Sequence, residues 1–301
     1  MLEAFFSPID KSIIKNYPKS KGLLGSDILV HSKKFPSIDG VQVAIIGLGD
    51  SANMIRKELY NLHSNIDGLC VADFGNLNHD EKESTVNSGL RECLIALREY
   101  SIIPIIIGES YNLAKAIIQS VNYSQVDTAL VSPFIAFNED DLAFKLYSKK
   151  KLFHTSFIGY QTYLNSLQIS QETGNLFSEF LRLGEARANI NEVEPLLRQA
   201  DIFEFDLRAI RYSDFKSSTD CLPNGFFNHE ACAIAKYAGI SNTISTYLIN
   251  QLNLSENSTS DTKQVSQMIW YILDGINNRF NDIPQLNNKN FTVYKCHAHS
   301  G

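Results

Sequence analysis

The chain contains 301 residues, of which 44% are hydrophobic and 20% are charged, and this composition is ordinary for a water-soluble globular protein. The formal net charge of −6 argues against nucleic acid and anionic membranes as partners, since both attract basic surfaces. No segment approaches the roughly 20 apolar residues that a membrane-spanning helix needs.

Strands and helices are predicted to alternate along the first half of the chain. Val41–Leu48 is a near-continuous apolar run, as expected of a parallel strand that is covered on both faces. The apolar spacing then predicts the strands Gly68–Phe74, Ile102–Ile107 and Thr128–Phe134, and the helices Met54–Leu62, Glu83–Tyr100, Asn112–Val121 and Glu139–Lys150.

The alternation continues in the second half. There the pattern predicts the strands Leu152–Gly159, Asp201–Ile210 and Asn290–Tyr294, and the helices Glu192–Gln199, His229–Gly239, Asn242–Leu252 and Val265–Phe280. Strands separated by helices of about ten to fifteen residues indicate βαβ units and a parallel sheet. We therefore predict one α/β domain over residues 1–301, a three-layer αβα sandwich with a mainly parallel sheet. The segment of about residues 1–38 is expected to be irregular, and the tail 295–301 to be disordered or truncated.

The cysteines favour a reducing compartment. They are odd in number and include no Cys-x-x-Cys pair: Cys70, Cys93, Cys221, Cys232 and Cys296. This usage is typical of free thiols rather than of a disulfide framework. The first residues also lack the cationic start and the long apolar run of a signal peptide. We therefore predict a cytoplasmic protein.

The stretch Ile102–Ala116 (IIPIIIGESYNLAKA) carries a family resemblance. It reads as a buried strand that passes through Gly108 into a helix. It resembles the P-x-x-x-G-G-D-H segment of the ureohydrolase family (arginase, agmatinase and formimidoylglutamase). Other segments resemble the same family in the same order, most closely its formimidoylglutamase-like branch: VQVAIIGLGD (41–50), ADFGNL (72–77), FIGYQTY (157–163), ADIFEFDLRAI (200–210) and LPNGFFNHEACAIAKYAGIS (222–241). The resemblance implies an arginase-like fold.

The resemblance also implies a site for two manganese ions, because the family holds these ions with six His and Asp side chains at three strand ends. This sequence keeps Asp206, but Arg208 stands where the second Asp of the D-x-D motif would be. The other four ligand positions carry Tyr111, Ser132, Phe134 and Ala136. We therefore predict that the six positions are vestigial and that no metal or other cofactor is bound.

Asp206 and Arg208 suggest what replaces the metal. Residues i and i+2 of a strand point to the same face, so the two side chains are expected to project together at the carboxyl end of the predicted strand. A cation there can neutralise a carboxylate that would otherwise be left alone. Glu109, at the end of a neighbouring strand, is a possible second acceptor. The alternative is that both residues are ordinary surface charges.

Three further residues are candidates for the cleft of the resembled fold. Glu230 lies where the family has an acidic residue that touches the cationic group of the substrate, but a Glu in the first turn of a helix also favours the helix dipole. His229 has either an acid–base or a structural role. Asn224, before Gly225, is a turn signal in either case.

The sequence leaves three functions open. The leading interpretation is a pseudoenzyme of the ureohydrolase fold that binds a protein or a small molecule, or acts as a scaffold. The second is an active metal-dependent hydrolase of linear amidines, with formiminoglutamate as the substrate that the resemblance implies. The third is a structural subunit of an oligomer, either with an active paralogue or with copies of itself.

Overall fold

The computed structural model describes residues 2–16, 22–64, 66–78, 83–108, 113–121, 125–135, 137–139, 141–166, 177–220, 222–255 and 258–280. Within these ranges the strands are β1 (Phe6–Ser7), β2 (Leu29–Val30), β3 (Val43–Leu48), β4 (Val71–Leu77), β5 (Ile103–Gly108), β6 (Val126–Val131), β7 (Leu152–Tyr160), β8 (Ser178–Arg182), β9 (Ile202–Asp206) and β10 (Thr246–Asn250). The α-helices are α1 (Lys11–Asn16), α2 (Leu24–Asp27), α3 (Ser51–Leu59), α4 (Glu83–Glu99), α5 (Ala114–Ser120), α6 (Leu142–Ser148), α7 (Leu183–Ala188), α8 (Val193–Leu197), α9 (Asn228–Ile240) and α10 (Thr259–Asn277).

The ten strands form one sheet in the order β1–β4–β3–β5–β10–β9–β6–β7–β8, and β2 also pairs with β4. β1 runs antiparallel to β4, with Phe6 opposite Leu77. All the other pairings between these strands are parallel. The predicted α/β fold with a mainly parallel sheet is therefore confirmed.

Helices cover both faces of the sheet because its central strands are apolar on both sides. In β5, Ile105 and Ile107 belong to one apolar core, with α3, α9 and α10, and Ile106 belongs to the other, with α4, α5 and α6. Side chains of a strand alternate between its faces, so one continuous apolar run supplies both cores. In the described ranges, none of the helices is both long and apolar enough to cross a membrane.

The end of β5 has room only for a glycine at position 108. A Cβ atom at this position would lie 2.4 Å from the Cβ of Leu48 in the adjacent β3 and 2.9 Å from its carbonyl oxygen. Real atoms do not approach so closely, so any side chain here would push the two strands apart. The glycine that marks the strand–turn–helix in the sequence therefore has a packing role.

The prediction of a helix at Asn242–Leu252 is wrong. The segment contains the strand β10, which lies between β5 and β9 and is buried along its whole length. A short apolar run fits the helical and the strand patterns equally well, and the β-branched residues Thr243, Ile244 and Thr246 favour the strand. β10 is thus the strand that joins the two halves of the sheet.

Other differences concern the ends of elements. The predicted strands at Thr128–Phe134 and Asp201–Ile210 end earlier, at Val131 and Asp206. A 3-10 helix at Leu207–Ala209 follows the second. The sequence analysis missed β8 and α7, and the N-terminal segment expected to be irregular contains β1, α1, α2 and β2. The predicted strand Asn290–Tyr294 and the tail 295–301 lie outside the described residues.

The described cysteines are Cys70, Cys93 and Cys232, and all three are free thiols. Burial raises the pKa of the Cys93 thiol to about 12, and burial raises that of Cys232 to about 11 even though Gln264 donates a hydrogen bond to its sulfur. A thiol with so high a pKa carries almost no thiolate at neutral pH and is a poor nucleophile. Neither buried cysteine is therefore a candidate for catalysis.

Candidate functional site

The candidate site lies at the carboxyl edge of the sheet, where β6 and β9 end side by side. Val131 pairs with Phe205, so the residues that follow them, Ser132 and Asp206, are opposite each other. The Ser132 hydroxyl donates a hydrogen bond of 3.0 Å to Oδ2 of Asp206. The same hydroxyl oxygen accepts a bond of 3.2 Å from the backbone N–H of Phe134. Ser132, Phe134 and Asp206, three of the six positions predicted to be vestigial metal-ligand positions, therefore lie close together.

Arg208 forms an ion pair with Asp206, as the sequence predicts. Its Nε lies 3.0 Å from each carboxylate oxygen, and its Nη2 lies 2.7 Å from Oδ2. Its backbone N–H donates a further bond of 2.9 Å to Oδ1. The reason for the contact differs from the predicted one. Because β9 ends at Asp206, Arg208 folds back through the 3-10 turn instead of standing two residues along a strand.

The pair is nearly buried on its carboxylate side and open on its guanidinium side. The side chain of Asp206 is 6% exposed and that of Arg208 is 25% exposed. The Cζ atom of Arg208 lies 4.7 Å from the ring centroid of Phe134, a cation–π distance. Burial alone lowers the pKa of Arg208, but the hydrogen bond and charge of Asp206, with the charges of Asp220 and Asp141, raise it above the usual value. The guanidinium therefore stays charged.

Glu204 is a functional candidate that the sequence analysis missed. It is half-buried in β9, two residues before Asp206 and on the same face of the sheet. Asn250 of β10 donates a hydrogen bond of 2.6 Å to its Oε1. Burial raises the pKa of Glu204 to about 7, and the charges of Asp206 and Asp141 act in the same direction. A polar residue two positions before Asp206 in an otherwise apolar strand was the available signal.

Asn250 itself is incompletely satisfied. It is 7% exposed, and its Oδ1 has no hydrogen-bond partner. Its Nδ2 donates to Glu204, and this hydrogen bond favours the carboxylate, so it lowers the pKa of Glu204 against the larger opposite effect of burial. The site thus combines one permanent cation with several carboxylates, one of which titrates near neutral pH.

Asn224 lies on a loop that is connected to this edge. Its side chain donates a hydrogen bond of 3.2 Å to the hydroxyl of Tyr163, and its carbonyl accepts one of 3.0 Å from the side chain of Gln161. The backbone N–H of Gln161 in turn donates a bond of 2.9 Å to the carbonyl of Pro133, next to Ser132. Asn224 is exposed and holds two loops together at the rim.

Glu230 and His229 belong to a different set of contacts. Glu230 is 8% exposed, accepts a hydrogen bond of 2.7 Å from the backbone N–H of Phe227, and lies 3.2 Å from Nε of Arg187. These contacts fit the structural alternative, in which the Glu stabilises the first turn of α9. His229 is exposed, and its ring stacks on Phe227 with centroids 5.6 Å apart. The other predicted positions, Glu109, Tyr111 and Ala136, lie outside the described residues.

A second ion pair, which is fully buried, joins helix α3 to strand β4. Arg56 of α3 and Asp73 of β4 are 1% and 0% exposed, and Nε of the arginine lies 2.9 Å from Oδ2 of the aspartate. The hydroxyl of Tyr60 donates a bond of 2.9 Å to Oδ2, and the N–H of Gly75 one of 3.0 Å to Oδ1. Arg56 also donates a bond of 2.9 Å to the carbonyl of Gly75. The network ties helix to strand and is closed to solvent.

Comparison with known proteins shows the fold. No family model and no curated protein matches the sequence. Among solved structures, a Trypanosoma cruzi formiminoglutamase with Mn2+2 matches with a TM-score of 0.71 and 15% identity over 81% of this chain and 95% of that one. The formimidoylglutamase of Bacillus subtilis matches at 0.74 and 12%, over 88% and 95%. The agmatine ureohydrolase of Thermoplasma volcanium matches at 0.66 and 12%, over 89% and 98%.

These likenesses confirm the predicted arginase-like fold. At identities this low they show the fold alone and do not carry over an activity. The ligand chemistry therefore has to be judged from the residues of this chain.

The described residues do not fit a centre of two manganese ions. Manganese requires several carboxylate or imidazole ligands, and the part of the chain that the structure describes has no group of three or more His, Cys, Asp or Glu that could hold a metal. Both oxygens of Asp206 are already engaged by Arg208, and Oδ2 also by Ser132. A dication at this carboxylate would meet the guanidinium at short range and be repelled by it.

Proposed function

We propose that this protein, which has the fold of formiminoglutamase and agmatinase, is a pseudoenzyme that acts as a binding or scaffold module. The observation that carries the proposal is the ion pair between Arg208 and Asp206. It puts a fixed cation on the carboxylate that a metal would need. The guanidinium neutralises Asp206 without providing a Lewis acid or a metal-bound hydroxide, which are what hydrolysis of an amidine by this fold requires.

The chemistry of the site supports a small ligand with both polar and charged groups, or a protein segment that carries them. Arg208 presents its open side to solvent, and its charge acts on Glu204, whose pKa is about 7. Such a pair can bind a group that both donates and accepts hydrogen bonds. We further propose a cytoplasmic protein with no nucleic-acid or membrane partner, which either forms homo-oligomers or assembles with an active paralogue.

Metal content and turnover test the proposal together. The protein is purified in the presence of manganese, and bound metal is measured beside the release of urea from guanidino substrates and of formamide from formiminoglutamate. We expect substoichiometric manganese and no turnover. Stoichiometric manganese with turnover would overturn the proposal in favour of an active hydrolase.

A variant series tests the ion pair directly. Calorimetric titration with Mn²⁺ is carried out on the native protein, on Arg208→Ala and on Arg187→Ala, a control that frees Glu230 elsewhere. If the guanidinium repels dications from Asp206, Arg208→Ala binds Mn²⁺ more tightly than the native protein does, and Arg187→Ala does not. Equal affinity of the native protein and Arg208→Ala would show that Arg208 does not replace a metal.

A further inference from the structure

An apolar groove lies at the β1–β4 end of the sheet, away from the candidate site. Its walls are the 3-10 helix Leu2–Phe5, residues 35–39 and the second half of α4, and its volume is about 690 Å³. None of its lining residues belongs to the Asp206 site. The volume lies in the range of sites that bind ligands, about 300–1,000 Å³.

The groove is preformed. Phe35 forms part of its wall, and its ring centroid lies 4.7 Å from that of Phe74 and 5.8 Å from that of Phe6. Both of those phenylalanines are buried. At the other wall Tyr100 is 57% exposed and leaves a large apolar surface open. A rigid apolar wall of this kind lowers the conformational cost of binding.

The groove carries acidic residues and no basic ones among its described lining residues. Its carboxylates are Glu3, Asp39, Glu92 and Glu99, and all four are exposed. Arg91 pairs with Glu92 from outside the groove. Four carboxylates around one apolar surface repel one another, which favours a cationic occupant.

The position of Glu99 breaks a local rule of helix stability. It is the last residue of α4, where the helix dipole is negative and a carboxylate is unfavourable. Arg98, the residue before it, also lies in the last turn, and its guanidinium donates a hydrogen bond to the carbonyl of Ser120. Local conflicts of this kind are expected at functional sites.

The spacing of the acidic residues indicates whether the groove binds a small cation or a polypeptide. Glu92 and Glu99 are seven residues apart on one face of α4, which is about 10 Å along the helix. Ile95 and Ala96 lie between them and line the groove. A single small cation cannot reach both carboxylates and also fill the apolar part. A chain segment with basic residues on either side of a large apolar side chain can do both.

We infer that this groove docks a partner polypeptide in which one or two large apolar side chains are flanked by Lys or Arg. The apolar side chains enter between α4 and Phe35, and the basic groups meet the carboxylates at the rim. The docking surface is independent of the Asp206 site and stands whether or not that site is catalytic.

Fluorescence anisotropy with three labelled peptides tests the inference. The probe is a 12-residue peptide with Leu and Phe at its centre and two Lys on either side. In one control peptide the Lys residues are replaced by Glu, and in the other Leu and Phe are replaced by Ser. We expect saturable binding of the probe alone. Equal binding of the serine control, or no binding of the probe, would overturn the inference.

Three variants of the full chain locate the binding. Glu92→Lys/Glu99→Lys reverses the rim charge, and Ala96→Trp fills the groove without a change of charge. Asp67→Lys/Glu179→Lys is the control, because it makes the same charge change at exposed residues outside the groove. Circular dichroism confirms that each variant is folded.

Both groove variants are expected to lower the affinity for the peptide at least tenfold. The control double variant is expected to lower it less than threefold. If Ala96→Trp left the affinity for the peptide unchanged, the groove would not be the binding surface. An equal loss in the control would show general charge attraction, and both results contradict the inference.

Discussion

Two ion pairs of this protein, Arg56–Asp73 and Arg208–Asp206, use the same types of side chain in different settings. The first is closed, because both side chains are at most 1% exposed and the neighbouring bonds satisfy both partners. The second is open, with Arg208 25% exposed and Glu204 nearby at a pKa of about 7. An ion pair that is closed to solvent can only stabilise the packing of two elements. An ion pair that is open to solvent and has further carboxylates nearby can also bind a ligand.

The largest effect should come from breaking the closed pair. Arg56→Met removes the guanidinium and leaves the carboxylate of Asp73 buried without its counter-charge. We expect a loss of about 3–5 kcal/mol in the free energy of unfolding. Urea denaturation followed by circular dichroism measures it. A loss below about 1 kcal/mol would show that water reaches Asp73 and that the pair is not closed.

The next largest effect concerns the pH dependence of stability that Glu204, near the open pair, should cause. The pKa of Glu204 is raised from 4.5 to about 7. The favourable contribution of this carboxyl group to stability is therefore complete below pH 4.5 and is lost as the pH rises through 7. Glu204→Gln cannot ionise, so it should be more stable than the native protein at pH 8, by up to about 3 kcal/mol.

The measurement is the difference in unfolding free energy between the native protein and Glu204→Gln at several pH values. The difference should be smallest near pH 4 and should grow up to about pH 8. Glu179→Gln, which changes an exposed carboxylate, serves as the control and should show little dependence. A difference that does not change with pH would mean that Glu204 is already ionised at neutral pH.

The smallest effect should come from breaking the open pair. Arg208→Ala leaves Asp206 with the hydroxyl of Ser132 and a backbone N–H as donors, and water can enter where the guanidinium was. We expect a loss of about 1–2 kcal/mol, less than for Arg56→Met. Arg198→Ala, which breaks an exposed pair with Glu194, is the matched control and should cost less than about 0.5 kcal/mol. A loss as large as that of Arg56→Met would contradict the distinction between the pairs.

Much of the fold could be predicted from the sequence because its signals are local. The apolar run at Val43–Leu48, the spacing in α4 and the glycine at the end of β5 each determine one element by themselves. The contact between Asp206 and Arg208 was also predictable, since the residues are two positions apart and have few geometries available.

The prediction of secondary structure failed where the sequence of a segment was compatible with both a helix and a strand. Thr246–Asn250 is apolar and short, and only its place between β5 and β9 makes it a strand. The same strand supplies Asn250, so the environment of Glu204 could not be inferred while that segment was taken for a helix. The wrong prediction of a helix at Asn242–Leu252 is therefore also the reason why the environment of Glu204 was missed.

The sequence alone determined an alternating α/β chain of the arginase-like type and the identity of the charges at the end of β9. The tertiary structure decided which of those charges meet and how far water reaches them. It separates the closed pair from the open one, places Asn250 against Glu204 and gathers four carboxylates around one groove. These properties depend on residues distant in the chain, and the energy of a charge depends on its burial and on its neighbours rather than on its place in the sequence.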